Sequence, residues 1–159
     1  MKMNRYSKFK LRFAPFGLLL LYSALLFQVA GCGDGRGVRI PVSGKVTIDG
    51  NPVAFGSVTF MPVTGVKPRR PGGGSIESDG TFQISSFTPK DGLYEGEYRV
   101  MILAIEPIND LSRRWHAPQK YSSIKTSGLK AEITGSKTEV NFELSWEGSE
   151  HSEPFVEKF

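Results

Sequence analysis

The sequence predicts an all-β fold, a seven-stranded β-sandwich, behind an N-terminal export segment. Three observations lead there. From Pro41 onward apolar residues recur mostly at every second position. Gly, Pro and Asp-Gly turn signals separate these runs. No stretch repeats apolar residues convincingly at helical spacing.

In the first strand Val42, Gly44, Val46 and Ile48 share one face, and Ser43, Lys45 and Thr47 the other. Asp49-Gly50-Asn51-Pro52 is a turn cluster. Val58 and Phe60 then alternate with Ser57 and Thr59. Thr64 to Gly74 holds two Pro, two Arg and four Gly and reads as a loop. Ser75-Ile76-Glu77 and Thr81-Phe82-Gln83-Ile84 flank Ser78-Asp79-Gly80, a hairpin signal because Gly accepts positive φ.

The longest strand runs from about Glu97 to Ile105. Tyr98, Val100, Ile102 and Ala104 line one face; Arg99, Met101, Leu103 and Ile105 line the other. Apolar residues on both faces predict a central strand covered twice, with the irregular segment Glu106 to Ser127 as the second cover. Leu129, Ala131 and Ile133, then Val140, Phe142 and Leu144, alternate with polar residues and read as a hairpin around Gly135-Ser136. From Glu147 the chain turns polar and acidic and is expected to be mobile, with Phe155, Val156 and Phe159 able to dock on the domain.

Ahead of the strands lies an address. Met1 to Arg12 is basic, and Phe13 to Ala30 is an apolar run centred on Leu18-Leu19-Leu20-Leu21. A charged segment followed by an apolar one has the form of a secretory signal peptide. Val29-Ala30-Gly31-Cys32 resembles the lipobox of bacterial lipoproteins, which implies a diacylglycerol on the Cys32 thiol and cleavage before it. Multiple acyl chains give stable anchoring where one gives marginal binding. The competing reading is a retained membrane helix, since about 18 apolar residues can span. Gly33-Asp34-Gly35-Arg36-Gly37 is too glycine-rich for a stable element and reads as a tether. The expected organisation is therefore a signal peptide at 1–31, a tether at 32–40, a β-sandwich at 41–145 and a polar tail at 146–159.

The net charge of +4 misleads. Lys2, Arg5, Lys8, Lys10 and Arg12 all fall in the export segment, which has no acidic residue. Without that segment the chain carries 15 basic and 16 acidic side chains, a net −1. That excludes a nucleic-acid reading founded on basicity. Lys67, Arg69 and Arg70 form one local basic loop, read as solvated. With Cys32 as its sole cysteine the chain forms no internal disulfide, and the core alone holds the domain.

Several motifs together resemble a carboxypeptidase regulatory-like domain. They are Val42-Ser43-Gly44-Lys45-Val46, Gly50-Asn51-Pro52-Val53, Val58-Thr59-Phe60, Ser78-Asp79-Gly80-Thr81-Phe82 and Gly96-Glu97-Tyr98-Arg99-Val100, in that order. The stretches Pro118-Gln119-Lys120-Tyr121 and Thr126-Ser127-Gly128-Leu129 are similar to a subgroup in short bacterial lipoproteins. The resemblance covers about residues 41–145. It implies a transthyretin-like (prealbumin-like) sandwich that serves as a non-catalytic accessory module, with Tyr98 and Val100 between its sheets and no cofactor.

A search for chemistry finds little. A related fold hosts 5-hydroxyisourate hydrolase, but its C-terminal Tyr-Arg-Gly-Ser has no counterpart in Val156-Glu157-Lys158-Phe159. His116 with Ser122 or Ser123 and Asp110 lacks any nucleophile signature, which leaves a hydrolase the weakest alternative. Two His and one lipidated Cys make no zinc cage, and Asp79, Asp91, Glu95 and Glu97 fit no calcium-loop template. The long segment Pro107 to Ser127 is the most suggestive, because loops of that length usually function or cover. Its Arg113, Arg114, Trp115, His116 and Tyr121 suit contact with an envelope protein or a glycan. The alternatives are that Trp115 and Tyr121 merely cap the central strand, or that the lipoprotein coats a surface without a defined ligand. The expected place is the cell envelope, exported and attached to a membrane through Cys32.

Overall fold

The computed structural model describes residues 37–63 and 70–159. All of these except Gly37 belong to one compact unit, Val38–Phe159. The expected export segment, Cys32, the first part of the expected tether, Lys67 and Arg69 lie outside the described residues.

The described residues are all-β. In chain order the strands are β1 (Val42–Ile48), β2 (Asn51–Pro52), β3 (Gly56–Pro62), β4 (Gly72–Ile76), β5 (Thr81–Gln83), β6 (Gly96–Leu103), β7 (Ile105–Asn109), β8 (Ser112–Trp115), β9 (Leu129–Ile133), β10 (Thr138–Glu139), β11 (Phe142–Leu144) and β12 (Phe155–Lys158). A 3-10 turn, Gln119–Ser122, follows β8. Among the described residues no helix is long and apolar enough to cross a membrane.

Nine strands form one sheet in the order β10-β1-β5-β4-β3-β6-β9, with β2 and β11 also on β1. β7, β8 and β12 form a second sheet of three. The larger sheet cannot be flat. Seven strands side by side would put β10 and β9 about 29 Å apart, yet the chain passes from Ile133 to Thr138, a reach of at most about 18 Å. The sheet accordingly curls into a half-barrel.

The alternation read from the sequence maps onto burial. Val42, Val46, Ile48, Val58, Phe60, Tyr98, Val100 and Ile102 all face the core. Inside the curl Phe60 meets Tyr98 edge-on at 6.1 Å, and Phe82 stacks on Phe142 at 6.1 Å between ring centres. The Tyr98 hydroxyl donates to the Tyr94 carbonyl at 2.9 Å. Burial pushes that phenol up to about 12, so it stays a neutral donor. Tyr98→Phe is expected to cost about 1 kcal/mol, read as a lower urea midpoint at an unchanged m-value.

Four expectations need correction. Leu129–Ile133 and Phe142–Leu144 are strands but not a hairpin: β9 pairs antiparallel with β6, and β11 pairs parallel with β1. Curling brings the two sheet edges close enough for the short Gly135 segment to join edges rather than neighbours. The loop expected at 64–74 ends early, because Gly72–Ile76 pairs with β3. The segment Glu106 to Ser127 is not simply irregular, since it contains the β7–β8 hairpin. The polar tail carries β12, paired with β8 from Phe155↔Trp115 to Lys158↔Ser112.

The last residues of the expected tether also join the fold. Ile40 bridges to Leu93, and Arg39 Nε lies 3.0 Å from Asp91 Oδ2.

Candidate functional site

The positions of the sheet ends decide where a functional surface sits. β1, β4 and β6 run one way and β3 and β5 the other, as the antiparallel pairings require. Ile48, Gly56, Ile76 and Leu103 therefore share one end of the sheet. Ile40, Leu93 and Gly96 share the other, where the chain enters β1. The β7–β8 hairpin springs from Leu103 and so stands at the end opposite the incoming chain. His116 N–H donates to Ala104 O at 2.8 Å and closes the base of that hairpin.

Within the small sheet two carboxylates organise the side chains. Glu157 Oε2 accepts from Arg113 Nε at 2.7 Å and from Trp115 Nε1 at 2.8 Å. These two bonds, that from Arg113 first, hold its carboxyl below the ordinary range. Glu106 Oε2 lies 2.9 Å from His116 Nε2 and 3.1 Å from Arg114 Nη1. The bond to His116, then the Arg114 charge, likewise depresses Glu106. Trp115 is buried and stacks on Phe155, ring planes 11° apart. Phe155 also meets Trp146 edge-on and stacks on His151 at 3.6 Å.

The carboxyl of Glu157 supplies a test. As pH falls through its depressed value, the acceptor of the Trp115 indole loses its charge. The indole N–H resonance of Trp115 should therefore step at a pH below about 4.3, the ordinary glutamate value. In Glu157→Gln that step should vanish.

The structure brings Arg113, Arg114, Trp115 and His116 together on and beside β8 and sets Tyr121 apart. Tyr121 is buried against the core, its hydroxyl accepting from Ser145 N–H at 3.2 Å. The partners proposed from the sequence for His116 do not meet it. Ser122 Oγ donates to the Gln119 carbonyl, and Ser123 Oγ accepts from Lys125 N–H. Asp110 lies in the turn between β7 and β8. The four acidic residues weighed for calcium are also dispersed: Asp79 bonds Thr81, whereas Asp91 bonds the 86–88 backbone. Among the described residues no three His, Cys, Asp or Glu side chains form a metal-ligand set. Arg70, the described member of the basic loop, donates to Ser86 O and lies 4.0 Å over the Phe87 ring.

Sequence reasoning missed Glu106 and Glu157, and named Phe155 only as able to dock. A signal existed: Ile105 to Ile108 and Ser112 to Trp115 flank Asn109-Asp110, the outline of a hairpin.

The outward surface of this sheet is apolar at its tip. Leu111 and Phe159 are 67% and 70% exposed, and Ile108 and Val156 are both 45% exposed. Phe159 N–H donates to Leu111 O at 2.9 Å, so these two are neighbours. The Arg113 guanidinium lies 4.5 Å from the Phe159 ring centre. Apolar and aromatic side chains beside arginine resemble the centre of a binding surface more than ordinary solvated surface.

No family model matches the chain, and the search of curated proteins finds no match. Among solved structures, a 9R-lipoxygenase from Cyanothece PCC8801 is similar over 83% of this chain and 20% of its own length, at 12% identity and a TM-score of 0.32. A likeness of that degree carries no argument about fold or activity.

Proposed function

We propose that the chain is a lipid-anchored, non-catalytic module of the bacterial cell envelope that holds a protein or glycan partner at the end of its domain opposite the tether. The observation that carries this reading is the opposition along β1. The chain arrives from the Cys32 side at Ile40, and the β7–β8–β12 sheet stands at the other end, one strand length of roughly 20 Å away. The exposed Leu111–Phe159 tip thus lies at the end of the domain opposite the point where the chain enters, clear of the tether. The polar groups beneath that tip bond to one another, which suits a rigid contact surface. The order of the family-like motifs supports a transthyretin-like fold: they fall in turn on β1, β2, β3, the β4–β5 turn and the start of β6.

The test uses the full chain expressed in a bacterial host. Intact mass of its N-terminus should report an acylated Cys32, and Cys32→Ala should move the protein to the aqueous fraction. A chain that keeps Lys2 to Ala30 would overturn the anchor. Leu111→Asp with Phe159→Asp should abolish partner crosslinking in envelopes while leaving the thermal melt unchanged. Unaltered crosslinks in that variant would overturn the contact surface.

A further inference from the structure

The outward face of the large sheet carries a groove that the β7–β8–β12 surface does not touch. Its volume is about 1170 Å³, above the range of about 300–1,000 Å³ usual for drug-sized ligands. Its floor is the face of β1, β5 and β4 turned away from the core, and Glu139, Asn141 and Glu143 form one wall. These three alternate with Val140 and Phe142, so strand geometry turns them to one side. Asn141 Oδ1 is committed to Lys45 N–H at 2.9 Å. The side chains of Ser75, Gln83, Glu139 and Glu143 make no hydrogen bond or ion pair within the protein among the described residues. At Gly73 the floor is bare backbone.

The chemistry of this groove discriminates among ligands. Among the described residues Pro89 is the one exposed apolar side chain that lines it, so a peptide finds no large apolar anchor there. Strand addition is also closed, because β1 lies between β5 and β10–β11, and β4 lies between β3 and β5. Hydroxyl, amide and carboxylate groups spread over adjacent strands instead match a ligand that carries hydroxyls along its length. Lys45 and Lys90 face Glu77, Glu139 and Glu143, a net negative charge that disfavours an acidic ligand.

We propose that this groove binds an uncharged, hydroxyl-rich oligosaccharide. The proposal rests on the reading of the chain as a non-catalytic binding module and not on the β7–β8–β12 contact. The test starts with the full chain in a zwitterionic detergent without sugar headgroups, applied to an array of neutral, amino-sugar and acidic oligosaccharides. A neutral member should bind, and in NMR titration it should shift the amides of Gly73, Ser75, Gln83 and Glu139. Gln83→Ala should weaken it about fivefold, the effect of one lost hydrogen bond, with an unchanged melt. Leu111→Asp with Phe159→Asp should leave it intact, so failure at one surface is separable from failure at the other. Binding confined to acidic sugars, shifts confined to β7–β8–β12, or an array with no neutral binder would each overturn the proposal. So would enrichment at these amides of a peptide library alone.

Discussion

Asp91→Ala is expected to lower the melting temperature by about 10 °C, from a loss of about 3 kcal/mol. Asp91 is 10% exposed and accepts from three consecutive backbone donors, Ser86 N at 2.7 Å and Phe87 N and Thr88 N at 3.1 Å each, while also pairing with Arg39. Removing the carboxylate strands the loop donors and takes from the largely buried Arg39 its ion pair. The loop cannot relax cheaply. Lys90 holds φ at 62°, and Gly92 at 82° packs so closely on Ile40 that an added Cβ would sit 1.9 Å from its carbonyl oxygen.

The pH dependence follows from the same contacts. Burial alone would raise the Asp91 carboxyl, but the three N–H bonds and Arg39 outweigh it and hold it below 3.8. A carboxylate depressed in the folded state stabilises above its unfolded value, and that contribution fades as pH falls through the folded one. Melts of the parent chain and Asp91→Ala should thus differ most near neutral pH and draw together as pH falls through the depressed folded-state value, below the ordinary 3.8. A gap of constant size would show that the charge is not the agent.

Gly44→Ala should be comparably damaging, at about 3 kcal/mol. A Cβ on Gly44 would lie 1.7 Å from Val140 O and 2.8 Å from the tip of the Phe82 ring. The obstacle is backbone, fixed on either side: Val140 N–H donates to Ser43 O at 2.9 Å, and Asn141 holds Lys45 N–H. Substitution must therefore lift β10 and β11 from β1. Gly50 is the control, since it has a positive φ of 82°, unlike Gly44, and its Cβ would meet open space. Gly50→Ala should cost about 1 kcal/mol, from backbone strain alone. Urea midpoints of the two variants decide the point; equal losses would exclude the steric cause. Hydrogen exchange at Phe142 and Leu144 should accelerate only in Gly44→Ala.

Strands whose side chains alternate were legible in the sequence. β1, β3 and β6 follow from Val42 to Ile48, Val58 to Phe60 and Tyr98 to Ile102 because half-buried strands print burial at every second residue. β4 was partly hidden, since Gly72, Gly73 and Gly74 have no side chains with which to print a period. The pairing of β9 and β11 was misjudged because alternation reports faces and not neighbours. The candidate contact was legible as residue types, Arg113 to His116, but not as a sheet. Its far strand is an exposed edge with mixed polarity, and its organising acids, Glu106 and Glu157, reach Arg114 and Arg113 across 8 and 44 residues. The shorter separation lies within the hairpin outline around Asn109-Asp110; no local pattern encodes the longer one.

The pairing of β1 with β10 and β11 has a temporal consequence. The strand synthesised first in the domain finds its partners about a hundred residues later, as the 96-residue span from Lys45 to Asn141 shows. Contacts of such separation slow folding to milliseconds or seconds. Until the C-terminal third of the chain has emerged, β1 has an unpaired edge and the curl cannot close. On the export proposed above, that delay is useful: the topology would hold back the native state while the chain still has to cross a membrane as an extended thread.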